Sequence, residues 1–204
     1  MGGGSSMSPQ GQIRHVFQDS DVSTWSYESF PKLPRCLAVL YETLRLYNPL
    51  LSIVKGTAVH PADLIVDAAT YTVLPHTRVI LNLNAVHTHP RYWGHDSLDF
   101  KASRWVVTDG PSIDREYLRA PLRGAFMGWS DGSRVCPGRK FVQVEHVAVV
   151  VALCRDHHVE PVRLEGESAE RARKRVVECV GESGMRLLFQ MLRPESVALA
   201  WRER

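Results

Sequence analysis

The sequence has 204 residues, 44% hydrophobic and 23% charged, which is enough apolar material for one large packed domain or two small ones. That composition excludes a wholly disordered tail, a collagen-like repeat and a coiled coil. A net charge of +3 gives no argument for nucleic acid or an anionic membrane as partner.

In chain order, residues 1–10 read as a flexible leader outside the fold, without the basic head and apolar segment of a signal peptide. Residues 23–34 are turn-rich, with Trp25, Tyr27 and Phe30 among them. Residues 35–47 predict a helix, because Leu37, Leu40, Tyr41, Leu44 and Tyr47 fall on one stripe. Asn48 and Pro49 stop it. Residues 64–66, 71–74 and 78–83 predict short strands, Val79, Leu81 and Leu83 alternating in the last. A short helix is expected around Ala85, closed by His89 and Pro90. Residues 94–135 are dense in Gly, Pro, Asp and Ser, and a stretch of that length without period is either functional or disordered. Residues 138–156 predict a second strong helix, apolar on nearly every side and so deeply buried, with Phe141, Val144, Ala148 and Val151 on one stripe. Residues 168–180 predict a charged helix, and residues 187–192 and 197–201 two closing strands. The longest apolar run, residues 147–154, is far short of the ~18 residues of a membrane-spanning helix. The fold class is mixed α/β, mostly helical.

Cys36, Cys136, Cys154 and Cys179 form no C-x-x-C pair, which argues for free thiols in a reducing environment. His87 and His89, with His95 nearby, alternate like metal ligands on a strand, but no carboxylate or further histidine stands at a recognised spacing. The basic cluster of residues 171–175 is flanked by Glu165, Glu167, Glu170 and Glu178, as on a solvated helix face. Trp25, Trp93, Trp105 and Trp201 read as packing residues.

The sharpest feature runs from Trp129 to Gly138. Cys136 stands at the start of the second long helix with Pro137 at its first position, where unpaired N–H groups and the helix dipole favour a thiolate. Gly132 and Gly138 allow tight turns and the approach of something flat and bulky. Arg134 supplies a fixed cation suited to a carboxylate. Together they suit a planar, doubly anionic cofactor bound through a metal.

At these residues the chain resembles the cytochrome P-450 family of heme-thiolate enzymes. Its heme loop reads aromatic-x-x-Gly-x-Arg-x-Cys-x-Gly, and Trp129, Gly132, Arg134, Cys136 and Gly138 match every position. The family usually has Phe at the first, and tryptophan is similar to certain, often fungal, members. Glu42 and Arg45 resemble the family's Glu-x-x-Arg helix, and Arg104 the meander arginine that completes a Glu-Arg-Arg triad. Softer similarity extends the match to about residues 11–163 and 186–204, so that residues 11–204 read as a truncated heme-thiolate domain. Residues 164–185 read as a charged insertion near a substrate-recognition loop.

The resemblance implies the C-terminal half of the cytochrome P-450 fold: Glu-x-x-Arg helix, small β-hairpin sheet, meander, cysteine loop, buried last long helix and terminal strands. It implies heme b, with Cys136 as the axial thiolate and metal ligand, Arg134 on a propionate and Trp129 beside the sulfur, able to donate its N–H there. Lys55 and His76 are candidates for the other propionate. It further implies a monooxygenase acting on a small organic substrate with dioxygen, an NADPH-dependent reductase as partner, and the cytoplasmic side of the endoplasmic reticulum, although no anchor is present here. Family members are roughly twice as long, and their Ala/Gly-Gly-x-Asp/Glu-Thr helix, which delivers protons to dioxygen, has no counterpart in these residues. Two alternatives therefore stand beside the monooxygenase. One is a truncated heme-binding or interaction remnant; the other is a heme-free, non-oxidative enzyme on the same fold.

Overall fold

A computed structural model describes residues 8–18, 20–186 and 188–203. Residues 1–7 of the expected leader lie outside that range. Pro9 and Gln10, also assigned to the leader, instead open the first helix, α1 (Pro9–Phe17), which buries Gln12, Ile13 and Phe17. Short 3-10 turns, Val22–Thr24 and Tyr27–Lys32, fill the turn-rich segment. They lead to α2 (Pro34–Leu46), with proline at its first position.

α2 is the centre of the fold. Pro34, Arg35, Cys36, Leu37, Ala38, Leu40, Tyr41, Glu42 and Arg45 are all buried along it, so it is covered on more than the one stripe its periodicity predicts. One side meets Ile13 and Phe17 of α1 and Val147 and Val151 of the second long helix. The other meets Trp105, Phe126 and Trp129. Tyr41 stands among these rings, its centroid 5.2 Å from Trp105 and 5.4 Å from Phe126.

Past Asn48 and Pro49 the chain enters β1 (Ser52–Gly56), a strand not predicted from sequence. Then follow β2 (Ala62–Val66), β3 (Ala69–Val73) and β4 (Arg78–Asn82). β2 and β3 form a tight hairpin whose corner, Asp67 and Ala68, has positive φ at both residues, the twist a two-residue hairpin turn demands. β1 pairs antiparallel with β4, Gly56 opposite Arg78. β1 was missed because its partner lies more than twenty residues on, while its own run lacks alternation. Next come α3 (Leu83–His87) and α4 (Pro90–Trp93), each capped by the side chain before it, Asn82 and His89 respectively.

The aperiodic residues 94–135 are ordered. They contain a 3-10 turn at Ala102–Trp105, the paired strands β5 (Val106–Thr108) and β6 (Glu116–Leu118), and a turn at Gly132–Arg134. α5 (Arg139–Cys154) follows. The expected deep burial of this helix is corrected: its buried line is Gln143, Val147 and Val151, and Phe141, placed on the core stripe from sequence, is 70% exposed. A helix that is apolar all round does not reveal which face its neighbours cover.

The chain ends with β7 (His157–Pro161), α6 (Ala169–Gly181), β8 (Ser183–Met185), β9 (Phe189–Met191) and β10 (Leu199–Glu203). The two strands predicted to close the chain do not pair with each other. β9 pairs with β8, and β10 returns to β7, across the expected insertion; Leu187, where the first was expected to begin, lies outside the described residues. Every sheet among the described residues is a two-stranded ribbon. The cysteines carry no disulfide.

Candidate functional site

α2 presents Glu42 and Arg45 on one face, three residues apart, and both side chains are fully buried. Arg45 donates twice to the Glu42 carboxylate, Nε to Oε2 and Nη2 to Oε1, each at 2.8 Å. Arg104 Nε donates to Oε1 at 2.9 Å. The predicted triad is therefore assembled. Two more donors were not foreseen: the Lys101 amide on Oε1 and the Trp105 indole on Oε2, both at 2.8 Å. Trp105, read as packing alone, is thus a polar member of the cluster. Burial by itself raises the Glu42 carboxyl, but the hydrogen bonds from Arg45, Lys101, Trp105 and Arg104 outweigh it and hold the group below its ordinary value. Arg45 and Arg104 then tie the meander down through backbone carbonyls, Arg45 to those of His87, Ser97 and Asp99, Arg104 to those of Trp93 and Asp96.

The loop before α5 lies against this frame. Trp129 is buried, and its carbonyl accepts the Cys136 amide at 2.8 Å, closing the loop between them. Ser130 and Gly132 both have positive φ, +64° and +75°, a geometry that costs an ordinary residue energy at Gly132 and costs glycine little. Asp131 caps the turn by accepting the Gly132 amide at 2.8 Å. Ahead of the loop, a Cβ on Gly128 would stand 2.5 Å from the Phe126 ring, so the chain passes that ring only without a side chain.

Cys136 packs half-buried against the aromatic cluster of Tyr41, Trp105, Phe126 and Trp129. α5 begins slightly later than the sequence suggests: Gly138 is its cap and Arg139 its first residue, so Pro137 precedes the helix rather than opening it. Cys136 still lies at its mouth, its carbonyl accepting the Arg139 amide at 3.3 Å. A Cβ on Gly138 would be 3.9 Å from Cys136 Sγ, an ordinary contact, so this glycine keeps the approach to the sulfur clear rather than relieving a clash.

Arg134 is exposed and makes no hydrogen bond or ion pair among the described residues. The Trp129 indole N–H is buried without a partner there. A cleft of about 290 Å³ beside the loop is lined by Tyr41, Phe126, Trp129, Val135 and Arg139. Arg139 was not singled out from sequence. It donates to the Tyr41 hydroxyl at 3.1 Å, as Gln143 does at 2.8 Å; the signal was its place one residue past Gly138. A free cation, a buried unpaired donor, a half-exposed thiol and an aromatic wall fit a large, flat, anionic group bound through a metal. Lys55 and His76 line an open depression at the β1–β4 ribbon, together with Arg78.

The histidine pair does not alternate on a strand. His87 is fully buried, and its ring Nε2 accepts the Met127 amide at 2.9 Å, whereas His89 Nδ1 accepts the Arg91 amide at the start of α4. In the basic cluster, Arg175 is held by Glu167 and the Val162 carbonyl. Trp201 is 45% exposed, which corrects its reading as a packing residue.

Residues 10–177 match the family model described as Cytochrome P450. The chain is 34% identical, over 165 residues, to a cytochrome P450 monooxygenase of the phomenoic acid biosynthesis cluster of Leptosphaeria maculans, covering 71% of this chain and 27% of that protein. It is 31% identical to a cytochrome P450 monooxygenase of Arthrobotrys oligospora, covering 86% of this chain and 32% of that one. The chain thus spans about a third or less of the length of these relatives, which corrects the expectation of relatives only twice as long. Its fold is similar to the crystal structure of a cytochrome P450DA heme domain, with a TM-score of 0.66 and 19% identity over 96% of this chain and 36% of that one. On its sequence match and its fold, the chain belongs to the cytochrome P450 family.

Proposed function

We propose that the chain builds the thiolate-bearing side of a heme site in an oxidoreductase of the cytochrome P450 monooxygenase type. The observation that carries this reading is the loop from Trp129 to Gly138, folded against the Glu42–Arg45–Arg104 cluster with Cys136 half-exposed at the mouth of α5. Cys136 is the metal ligand and Arg134 the propionate partner. Trp129 forms the wall beside the sulfur, and Gly132 and Gly138 let the backbone approach a flat ring. The cofactor this donor set suits is heme b, which when bound supplies the dioxygen chemistry, with thiolate ligation favouring O–O cleavage. Glu42, Arg45 and Arg104 act as a scaffold that keeps the loop in register and touch no reacting atom. Membership in the family supports a small organic substrate and an electron-supplying reductase as partners.

Reconstituting the chain with heme, reducing it and adding carbon monoxide tests the reading. The expected result is a red-shifted, thiolate-type Soret band that Cys136→Ser abolishes. No heme uptake, or a band indifferent to the substitution, overturns it. A thiolate band without turnover of any substrate favours the heme-binding remnant over the monooxygenase.

A further inference from the structure

His87 is the one fully buried histidine among the described residues, and the heme reading gives it no role. It sits at the end of α3 between the Glu42 cluster and the cysteine loop, and it touches both. Its backbone carbonyl accepts Arg45 Nη1 at 2.8 Å. Its ring Nε2 accepts the Met127 amide at 2.9 Å, and the ring stacks on Phe126 with centroids 5.1 Å apart. Phe126 and Met127 are the residues from which the chain turns through Gly128 into Trp129.

Because Nε2 is an acceptor, the ring proton sits on Nδ1. Nδ1 is buried without a protein partner among the described residues. A leucine or phenylalanine would fill this space without burying an unpaired donor, so packing alone does not account for an imidazole here. What the imidazole adds is an acceptor aimed at one backbone amide.

We propose that His87 is a positioning residue for the cysteine loop: its ring fixes the Met127 amide, its carbonyl fixes Arg45, and the residue thereby ties the path of the chain into Trp129–Cys136 to the Glu42–Arg45–Arg104 lock. The inference rests on the heme-thiolate reading for its consequence at Cys136, and on the hydrogen bonds alone for its mechanism.

The test uses the full 204-residue chain, isotopically labelled, with His87→Gln and His87→Leu. Glutamine reaches the position of Nε2 with a carbonyl oxygen; leucine keeps the volume and offers no acceptor. In the unmodified chain, imidazole nitrogen shifts should show the Nδ1-protonated tautomer and the Met127 amide should exchange slowly. His87→Leu should speed Met127 exchange by about tenfold, the effect of losing one typical hydrogen bond on a local opening equilibrium. The Lys101 amide and Trp105 indole, held by Glu42, should stay protected. His87→Gln should restore Met127 to near its original rate. In heme-loaded protein, His87→Leu should shift the reduced carbon monoxide band from thiolate-type towards thiol-type, and His87→Gln should not.

An Nε2-protonated ring overturns the proposal, as does Met127 protection unchanged in His87→Leu. Should His87→Leu fail to fold, fast Met127 exchange in a folded His87→Gln overturns it, and slow exchange there, together with the Nδ1 tautomer in the unmodified chain, supports it. Failure of every form to take up heme counts against the heme reading and leaves the exchange result standing, so the two failures are distinguishable.

Discussion

Glu42 is a fully buried carboxylate facing two arginines, and its value lies in being charged. Removing one partner from a buried ionic cluster leaves the others uncompensated, which is costlier than never having had the pair. Glu42→Gln keeps the shape and loses the charge, with Arg45 and Arg104 still in place. It should destabilise the chain by about 3–5 kcal/mol, read as a drop in the urea midpoint at unchanged slope. His87 adds a pH dependence. Burial, the largest influence, pushes its ring down from 6.5 to about 4, against an opposing influence of the Arg45 backbone and with the Arg45 charge adding a smaller push downward. The unfolded chain therefore binds the extra proton between those values and the folded chain does not. Stability is full above pH 6.5 and declines as pH falls towards 4, by about 3 kcal/mol for such a shift. The lowered Glu42 carboxyl acts in the same direction at lower pH, because its contribution is present above its ordinary value of 4.5 and is lost as pH falls through its folded one. Urea titrations at several pH values should show this decline, and His87→Gln should flatten the part between pH 6.5 and 4.

Among the elements, α2 and α5 divide the core between them. Arg35, at the start of α2, makes a near-buried two-pronged bond to Glu116 of β6, Nε to Oε2 at 2.7 Å and Nη2 to Oε1 at 2.6 Å. Gln12 of α1 donates to the same carboxylate and accepts the Arg35 amide. One ionic bond thus joins the meander, the first helix and the central helix. α5 meets this assembly along a single line. Val147→Ala, at a buried position outside the stripe read from sequence, should cost about 2 kcal/mol. Phe141→Ser, at the position 70% exposed, should stay within about 0.5 kcal/mol of the parent. The reverse order in thermal or urea unfolding would place the buried face of α5 on the stripe read from its sequence.

At the scale of the molecule, surface is the dominant fact. The chain exposes 14029 Å², whereas a compact monomer of 23.0 kDa exposes about 9,600 Å² by the usual mass scaling. Part of that excess is apolar: Leu64, Ile65, Val66 and Tyr71 on the β2–β3 hairpin and Phe141 and Val149 on α5 are all open. Exposed apolar patches of this extent mark interaction surfaces or aggregation sites. The isolated chain should bind an environment-sensitive apolar dye and associate with rising concentration in sedimentation runs, and Ile65→Glu together with Phe141→Glu should weaken both effects. A sharply monomeric, dye-free chain would contradict this.

Local chemistry was legible from the residues themselves. The apolar spacing of α2 and the Asn48–Pro49 stop defined the central helix, because helix periodicity and turn chemistry are properties of neighbours in sequence, and the spacing of Trp129, Gly132, Arg134, Cys136 and Gly138 marked the loop by its resemblance to the family's motif. The partners of β1 and β7, the Arg35–Glu116 bond, the indole of Trp105 on Glu42 and the ring of His87 on Met127 were not legible. Each joins residues distant in the chain, and no periodicity records a pairing across such a gap. The buried side of α5 belongs with these: when nearly every face of a helix is apolar, composition leaves the choice open, and the packing of α1 and α2 against Val147 and Val151 makes it.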